Sequence, residues 1–283
     1  PAEIAGDAFV KSLEEYKAIY KNSMDDMEGF WAEKAEQLDW FKKWDKVRDY
    51  NYNRREGKVF IEWFKNAKTN ITYNALDRHL ETRGDQVAII WEGNEPGEDR
   101  VLTYKQLHTE VCKFANVLKT RGVKKGDRVS IYMPMVPEAA IAMLACAKIG
   151  AAHSVVFGGF SPESIKDRIL DSDCRVVITA DQGVRGGKSV PLKANTDQAL
   201  QSCPNVHTVL VVKRTGDQTT WIADRDFDYN EMALEADDYC KPAEMSAEDP
   251  LFILYTSGST GKPKGVLHTT AGYMVYTATT FKY

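Results

Sequence analysis

Cysteine is scarce and scattered in this chain of 283 residues. There are five, at positions 112, 146, 174, 203 and 240, never closer than 28 residues (146 to 174) and never as a CxxC pair. That excludes a disulfide-stapled secreted scaffold and a zinc ribbon, and fits reduced core thiols in a cytoplasmic protein. The five histidines are equally dispersed, none at a metal-ligand spacing from a cysteine or another histidine, so no protein-held metal is expected. Long apolar runs are lacking too. The longest, Ala139 to Ala147, has nine residues, too few to span a bilayer. No basic stretch followed by an apolar one marks a secretory signal. Neither sign of charge dominates: a net charge of −4 and a pI near 5.8 give no basic footprint for nucleic acid or anionic lipid. Finally, there is no GxSxG elbow and no GxGxxG turn, so neither a serine hydrolase nor a dinucleotide fold announces itself.

What is present has three characters. Residues 1 to 82 are rich in aromatic and charged side chains, with Trp31, Trp40, Trp44 and Trp63 among them. Phe9, Leu13, Tyr16 and Tyr20 recur at helical spacing, and Val59 to Lys65 reads as a second helical stretch, so a helical N-terminal segment is expected. From residue 83 the pattern alternates strand and helix. Strands are expected at Val87–Trp91, Val101–Tyr104, Arg128–Met133, Ala152–Phe157, Arg175–Ala180 and Val206–Val212. Helices are expected at Thr103–Arg121, Pro137–Ile149, Pro162–Leu170 and Pro191–Gln201. This is an α/β pattern of parallel βαβ units, which places sites at the carboxyl ends of the strands. Lys213 to Asp249 reads as a polar, acidic surface connection before the apolar strand at Leu251.

Directly after that strand stands Tyr255 to Gly265, YTSGSTGKPKG. Gly258, Gly261 and Gly265 let a backbone approach a polyphosphate closely. Thr256, Ser257, Ser259 and Thr260 offer hydroxyl donors, and Lys262 and Lys264 offer charge. It is not a Walker A loop, because Pro263 follows Lys262 where a serine or threonine would stand. A solvated linker is the competing reading, but linkers rarely follow a buried strand. A second basic segment, Val184-Arg185-Gly186-Gly187-Lys188, sets two cations around a glycine pair beyond a strand and reads as an anion nest or as an exposed basic turn. The Phe157-Gly158-Gly159-Phe160 stretch reads as a tight strand-to-helix turn, with Ser161 as N-cap and Pro162 at the first helical position. His153, between apolar neighbours, reads as a satisfied core histidine.

The loop matches, at every defined position from Thr256 to Gly265, the TSG[ST]TGxPKG signature of the adenylate-forming superfamily, which it resembles. Three further stretches resemble the acetyl-CoA and propionyl-CoA synthetases of that superfamily: Lys58 to Leu80, Ala142 to Ile169 and Ile178 to Lys193. The resemblance implies the start of an adenylate-forming core over residues 83–283, with residues 1–82 as its N-terminal extension and the fold incomplete. It implies an ATP-dependent ligase that joins acetate to AMP and then passes the acyl group to coenzyme A, with propionate or another short acid as the alternative. An inactive nucleotide- or CoA-binding fragment is the alternative from another class. By resemblance, Thr256 to Lys262, Lys264 and Gly265 surround the ATP phosphates, with Thr260 and Lys264 as the catalytic pair and Mg²⁺ carried by the nucleotide. Phe157 and Gly159 would form an adenine wall for coenzyme A, and Arg185, Gly186, Gly187 and Lys188 would meet its phosphates. Lys188 departs from the arginine many members have there and loses bidentate geometry. Small-molecule partners are implied, with no nucleic acid and no membrane, and with a protein acetylase or deacetylase acting on a C-terminal lysine beyond this chain. With no methionine at position 1 and no stop signal at Tyr283, the chain is expected to be the first half or less of a longer protein.

Overall fold

The computed structural model describes residues 8–256 and 263–283, and these form two compact units.

The first unit draws on three stretches of sequence: residues up to Ile71, Glu244–Asp249 and Thr269–Tyr283. Helix α1 (Leu13–Asp25) starts at Ser12, whose hydroxyl accepts from the Glu15 N–H, and α2 (Met27–Ala35) starts at Asp26 in the same way. No residue of α1 is buried, and its aromatic stripe of Leu13, Tyr16 and Tyr20 is exposed. Strands β1 (Lys46–Asn51) and β2 (Phe60–Lys65) pair antiparallel, with Arg48 opposite Trp63. The helical expectation for Val59–Lys65 is therefore wrong. A run rich in β-branched and aromatic residues suits a pleated surface, and its pairing with β1 decides the matter. Phe64, Ala35, Ala67, Ala247, Ala271 and Val275 form the core, with Trp31, Trp40, Trp44 and Trp63 packed around it. Phe64 holds a φ of 52°, a left-handed conformation costly for a bulky residue, and two tryptophan rings fix it at 5.2 and 5.3 Å.

The second unit comprises Thr72–Ala243 and Pro250–His268. Strands β3 (Val87–Glu92) and β4 (Asp99–Thr103) form an antiparallel hairpin, followed by α3 (Tyr104–Thr120), which opens with a Thr103–Gln106 capping box. Then come β5 (Arg128–Met133), α4 (Pro137–Ile149), β6 (Ala152–Phe157), α5 (Pro162–Ser172) and β7 (Val176–Ala180). A short hairpin of β8 (Gly183–Arg185) and β9 (Lys188–Val190) precedes α6 (Leu192–Leu200) and β10 (Thr208–Val212). Next are β11 (Asp226–Asp228), α7 (Tyr229–Glu235), β12 (Pro250–Thr256) and β13 (Lys264–Thr269). A seven-stranded sheet has the order β11-β10-β7-β5-β6-β12-β13. Strands β5, β6, β7, β10, β11 and β12 pair in parallel, and β7 and β10 are buried along their whole length, as covering both faces requires.

From β5 the chain moves to one side, to β6, then crosses back to β7 and outward to β10. Right-handed crossovers put the helices of these opposite moves on opposite faces, and α3 packs with α4 while α5 packs with α6. The loops leaving β5 and β7 therefore diverge at a topological switch point, where open α/β sheets take their ligands. All five cysteines are buried and free. Among the described residues no helix is long and apolar enough to cross a membrane.

Candidate functional site at the carboxyl edge of the sheet

Strand β6 ends in Phe157, half exposed at 49 %, and the Phe160 N–H closes a turn onto its carbonyl at 2.9 Å. The turn is pinned from below. Tyr132, wholly buried in β5, brings its hydroxyl to 3.2 Å from the Gly158 carbonyl and 2.9 Å from that of Phe160, while Asn195 donates to the same hydroxyl at 3.2 Å. Neither Gly158 nor Gly159 has a positive φ, so glycine is needed here for room rather than for a left-handed backbone. A β-carbon on Gly158 would come within 3.0 Å of the Met133 carbonyl. On Gly159 it would meet Phe157 Cε1 at 2.6 Å and Arg185 Nη1 at 2.8 Å.

Arg185 reaches this turn from the β8–β9 hairpin, its guanidinium 4.9 Å from the centre of the Phe157 ring. Gly186 and Gly187 have φ of 54° and 72°, the consecutive left-handed pair that a tight hairpin turn of the I′ kind demands. Of the two readings of this segment, the exposed basic turn describes its backbone, in the form of a hairpin tip. Its register sets Lys188 directly opposite Arg185, both exposed. Like charges across a strand pair repel, and an anion held between them relieves that repulsion.

The base of the hairpin is fixed by Asp181, buried at the end of β7. Its carboxylate accepts from the backbone N–H groups of Gln182, Arg214, Thr215 and Gly216 at 2.7 to 3.2 Å and from the Thr215 hydroxyl at 3.3 Å. The loop after β7 and the loop after β10 are therefore tied to one side chain. Asn94, at the tip of the β3–β4 hairpin, donates to the Val184 carbonyl at 3.3 Å.

Three strands along the sheet from β7, β12 carries the chain to Thr256, which is exposed at this same edge. Ser257, Gly258, Ser259, Thr260, Gly261 and Lys262 lie outside the described residues. The described chain resumes at Pro263, and Lys264 and Gly265 open β13, with Lys264 exposed. A β-carbon on Gly265 would stand 3.1 Å from Ile253 Cγ2 and 3.2 Å from Tyr255 Cε1, so β13 lies close against β12. A cavity of about 360 Å³ beside Tyr255 and Pro263 is lined by Asp167, Arg168, Leu170 and Asp171 of α5. The Tyr255 hydroxyl donates to Asp171 Oδ2 at 2.7 Å. Burial, and the Asp171 carboxylate beside it, push its proton affinity above the ordinary tyrosine range.

Phe157, Gly159, Arg185 and Lys188 thus come together from segments distant in sequence, and Thr256, Lys264 and Gly265 gather at the neighbouring strand ends. Sequence reasoning missed Tyr132, Asp181, Asn195 and Arg168. A tyrosine inside an otherwise apolar strand and an aspartate just after a buried one were the signals available. His153 needs a correction. It is buried and held neutral, its pKa lowered to about 4 by burial, but among the described residues its Nδ1 has no hydrogen-bond partner.

Residues 76–283 match the family described as AMP-binding enzyme, and residues 16–75 match the acetyl-coenzyme A synthetase N-terminus. Acetyl-coenzyme A synthetase of Magnetococcus marinus is 58 % identical over 281 residues, 99 % of this chain and 43 % of that protein. The protein of the same name from Saccharophagus degradans is 57 % identical over 284 residues, covering 100 % of this chain and 43 % of the relative. The chain therefore spans less than half the length of these curated relatives. Among solved structures, the acetoacetyl-CoA synthetase from Streptomyces lividans superposes with a TM-score of 0.83 at 27 % identity, over 92 % of this chain and 39 % of that one.

Proposed function

The chain belongs to the AMP-binding enzyme family, and from that premise we propose that it is part of an ATP-dependent acyl-CoA ligase. The overall reaction would be acetate + ATP + CoA to acetyl-CoA + AMP + pyrophosphate. A carboxylate is a poor electrophile. In the first step one of its oxygens attacks the α-phosphorus of ATP, and pyrophosphate leaves, giving acetyl-adenylate. In the second the CoA thiol loses its proton and attacks the acyl carbon, and AMP leaves. Neither step needs an enzyme nucleophile. Both need positioning and positive charge around phosphoryl oxygens, with Mg²⁺ entering as part of the nucleotide substrate.

One juxtaposition carries the reading: Phe157, Gly159 and the Arg185–Lys188 pair form an aromatic and cationic surface at the strand edge where β12 delivers Thr256. An aromatic face beside two opposed cations suits a base next to its phosphates. In this reading Arg185 and Lys188 meet CoA phosphates, Phe157 and Gly159 face its adenine, and the segment from Thr256 to Gly265 holds the ATP phosphates. Lys264 supplies charge to the adenylation step. The acetyl-coenzyme A synthetase names of the relatives support acetate as the acid.

The test separates the half-reactions in the full-length protein. Acetate-dependent exchange of labelled pyrophosphate into ATP, without CoA, reports adenylation, and CoA-dependent AMP release reports thioester formation. Exchange that ignores acetate, or AMP release that ignores CoA, would defeat the proposal.

A further inference from the structure

Helix α5 touches both halves of the proposed site. At its start, Ser161 caps it immediately after the Phe157–Phe160 turn. Further along, Arg168 and Asp171 reach Tyr255, the residue before Thr256. The Arg168 guanidinium stands 4.8 Å from the centre of the Phe160 ring and 5.4 Å from that of Tyr255. Asp171 meanwhile accepts the Tyr255 hydroxyl at 2.7 Å. Phe160 in turn sits edge-on to Phe157 at 5.6 Å, and Phe157 carries the Arg185 guanidinium at 4.9 Å. An unbroken row of cations and rings, Arg185, Phe157, Phe160, Arg168 and Tyr255, joins the hairpin to the end of β12. Gly265, where β13 leaves the loop, lies against the same Tyr255 ring.

Arg168 is an odd residue to find there. It is buried, with 7 % of its surface exposed, and among the described residues no carboxylate lies within ion-pairing distance of it. Among the described residues its guanidinium donates from Nη1 to the Ser164 carbonyl at 2.7 Å. A buried cation without a carboxylate is expensive, and an apolar side chain of the same length would pack between two rings without that cost. What the guanidinium adds is a preferred geometry for both rings at once.

We propose that Arg168 is a positioning residue for both half-reactions: bridging Phe160 and Tyr255, and helped by Asp171, it fixes the entrance of the phosphate segment relative to the coenzyme A surface. The inference rests on the ligase reading above, and it adds that the ATP and CoA sites share one support rather than standing independently.

The experiment uses the full-length protein with Arg168→Met, Arg168→Lys and Tyr255→Phe, measuring KM and kcat in pyrophosphate exchange and in thioester formation. Arg168→Met is expected to raise KM for ATP and KM for CoA together, each by about fivefold or more. Arg168→Lys, which keeps the charge near the rings, should recover part of both. Tyr255→Phe loses the hydroxyl's bond to Asp171 at 2.7 Å and its contact with the Arg168 carbonyl at 3.5 Å, keeps the ring beside the guanidinium, and should raise KM for ATP alone. A purely structural role predicts lower kcat in proportion to lost folded protein with both KM values unchanged, and that result overturns the inference. So does a rise in only one KM in Arg168→Met. Should that variant fail to fold, unchanged KM values in both Arg168→Lys and Tyr255→Phe overturn it equally. A wild-type protein with no acetate-dependent exchange strikes the ligase reading itself and takes this inference with it, so the two failures are told apart.

Discussion

Arg185 combines a stacking contact with an exposed charge, and a pair of substitutions separates them. Arg185→Ala is expected to raise KM for CoA about tenfold, the scale of one charge-assisted contact, while acetate-dependent exchange stays near wild type. Arg185→Lys keeps the charge but gives up the planar face over Phe157 and should fall between. A variant that loses exchange and CoA use equally would make Arg185 structural. Lys264→Ala should instead weaken exchange by about tenfold, or ~1.4 kcal/mol in the barrier. Unchanged exchange kinetics would remove Lys264 from the site. A third residue bears on stability alone. His108 is hydrogen-bonded to Asp77 at 3.3 Å, and that bond, aided by Cys112 and opposed by burial and Lys148, raises its pKa to about 9. A raised folded-state value means that the bound proton stabilises the fold below about 6.5, the unfolded value, and that this stability is lost as pH climbs to 9. The urea midpoint should therefore fall between these pH values, and His108→Gln should flatten that slope; an equal slope in the variant would refute the assignment.

Among the elements, the β8–β9 hairpin shows how local chemistry serves the site. Its two left-handed glycines adopt such a turn without the strain that a β-carbon brings. Gly187→Ala is expected to cost about 1 kcal/mol in stability and, by twisting the strands, to raise KM for CoA without changing KM for ATP; parallel changes in both would show that the hairpin does not act on CoA alone. The elements most legible in the sequence were those with complete local signals. Helix α4 matches the expected Pro137–Ile149, with proline at its first turn and Gly150 left-handed at its end, and β5 and β6 match to the residue. Elements defined by partners were harder. Strand β2 looked helical because its apolar spacing is ambiguous without β1, and the β8–β9 pair was hidden in a basic turn. Of the candidate site, the residues with a motif were readable. Arg168, Asp181 and Tyr132 act through neighbours brought in by the fold, and nothing local announces them.

For the molecule as a whole, the share of the relatives' length that it covers sets an expectation. The 281 residues aligned with the Magnetococcus marinus protein correspond to 43 % of it, so this segment expressed alone is expected to release no AMP in the presence of acetate, ATP and CoA. Acetate-dependent AMP release from the isolated segment would show that these residues suffice for the chemistry.

The first unit is assembled from residues up to Ile71 and from stretches that begin only at Glu244 and Thr269. A ribosome adds about 5–20 residues per second. The tryptophan-rich beginning of this chain thus emerges roughly ten to forty seconds before the alanines and valine that complete its core. During that interval the cluster around Phe64 lacks Ala247, Ala271 and Val275. Protection of Trp40 and Trp44 should accordingly appear late in synthesis, after the second unit has begun to fold. A mutation that slows translation between these stretches would then lower yield without touching a single native contact.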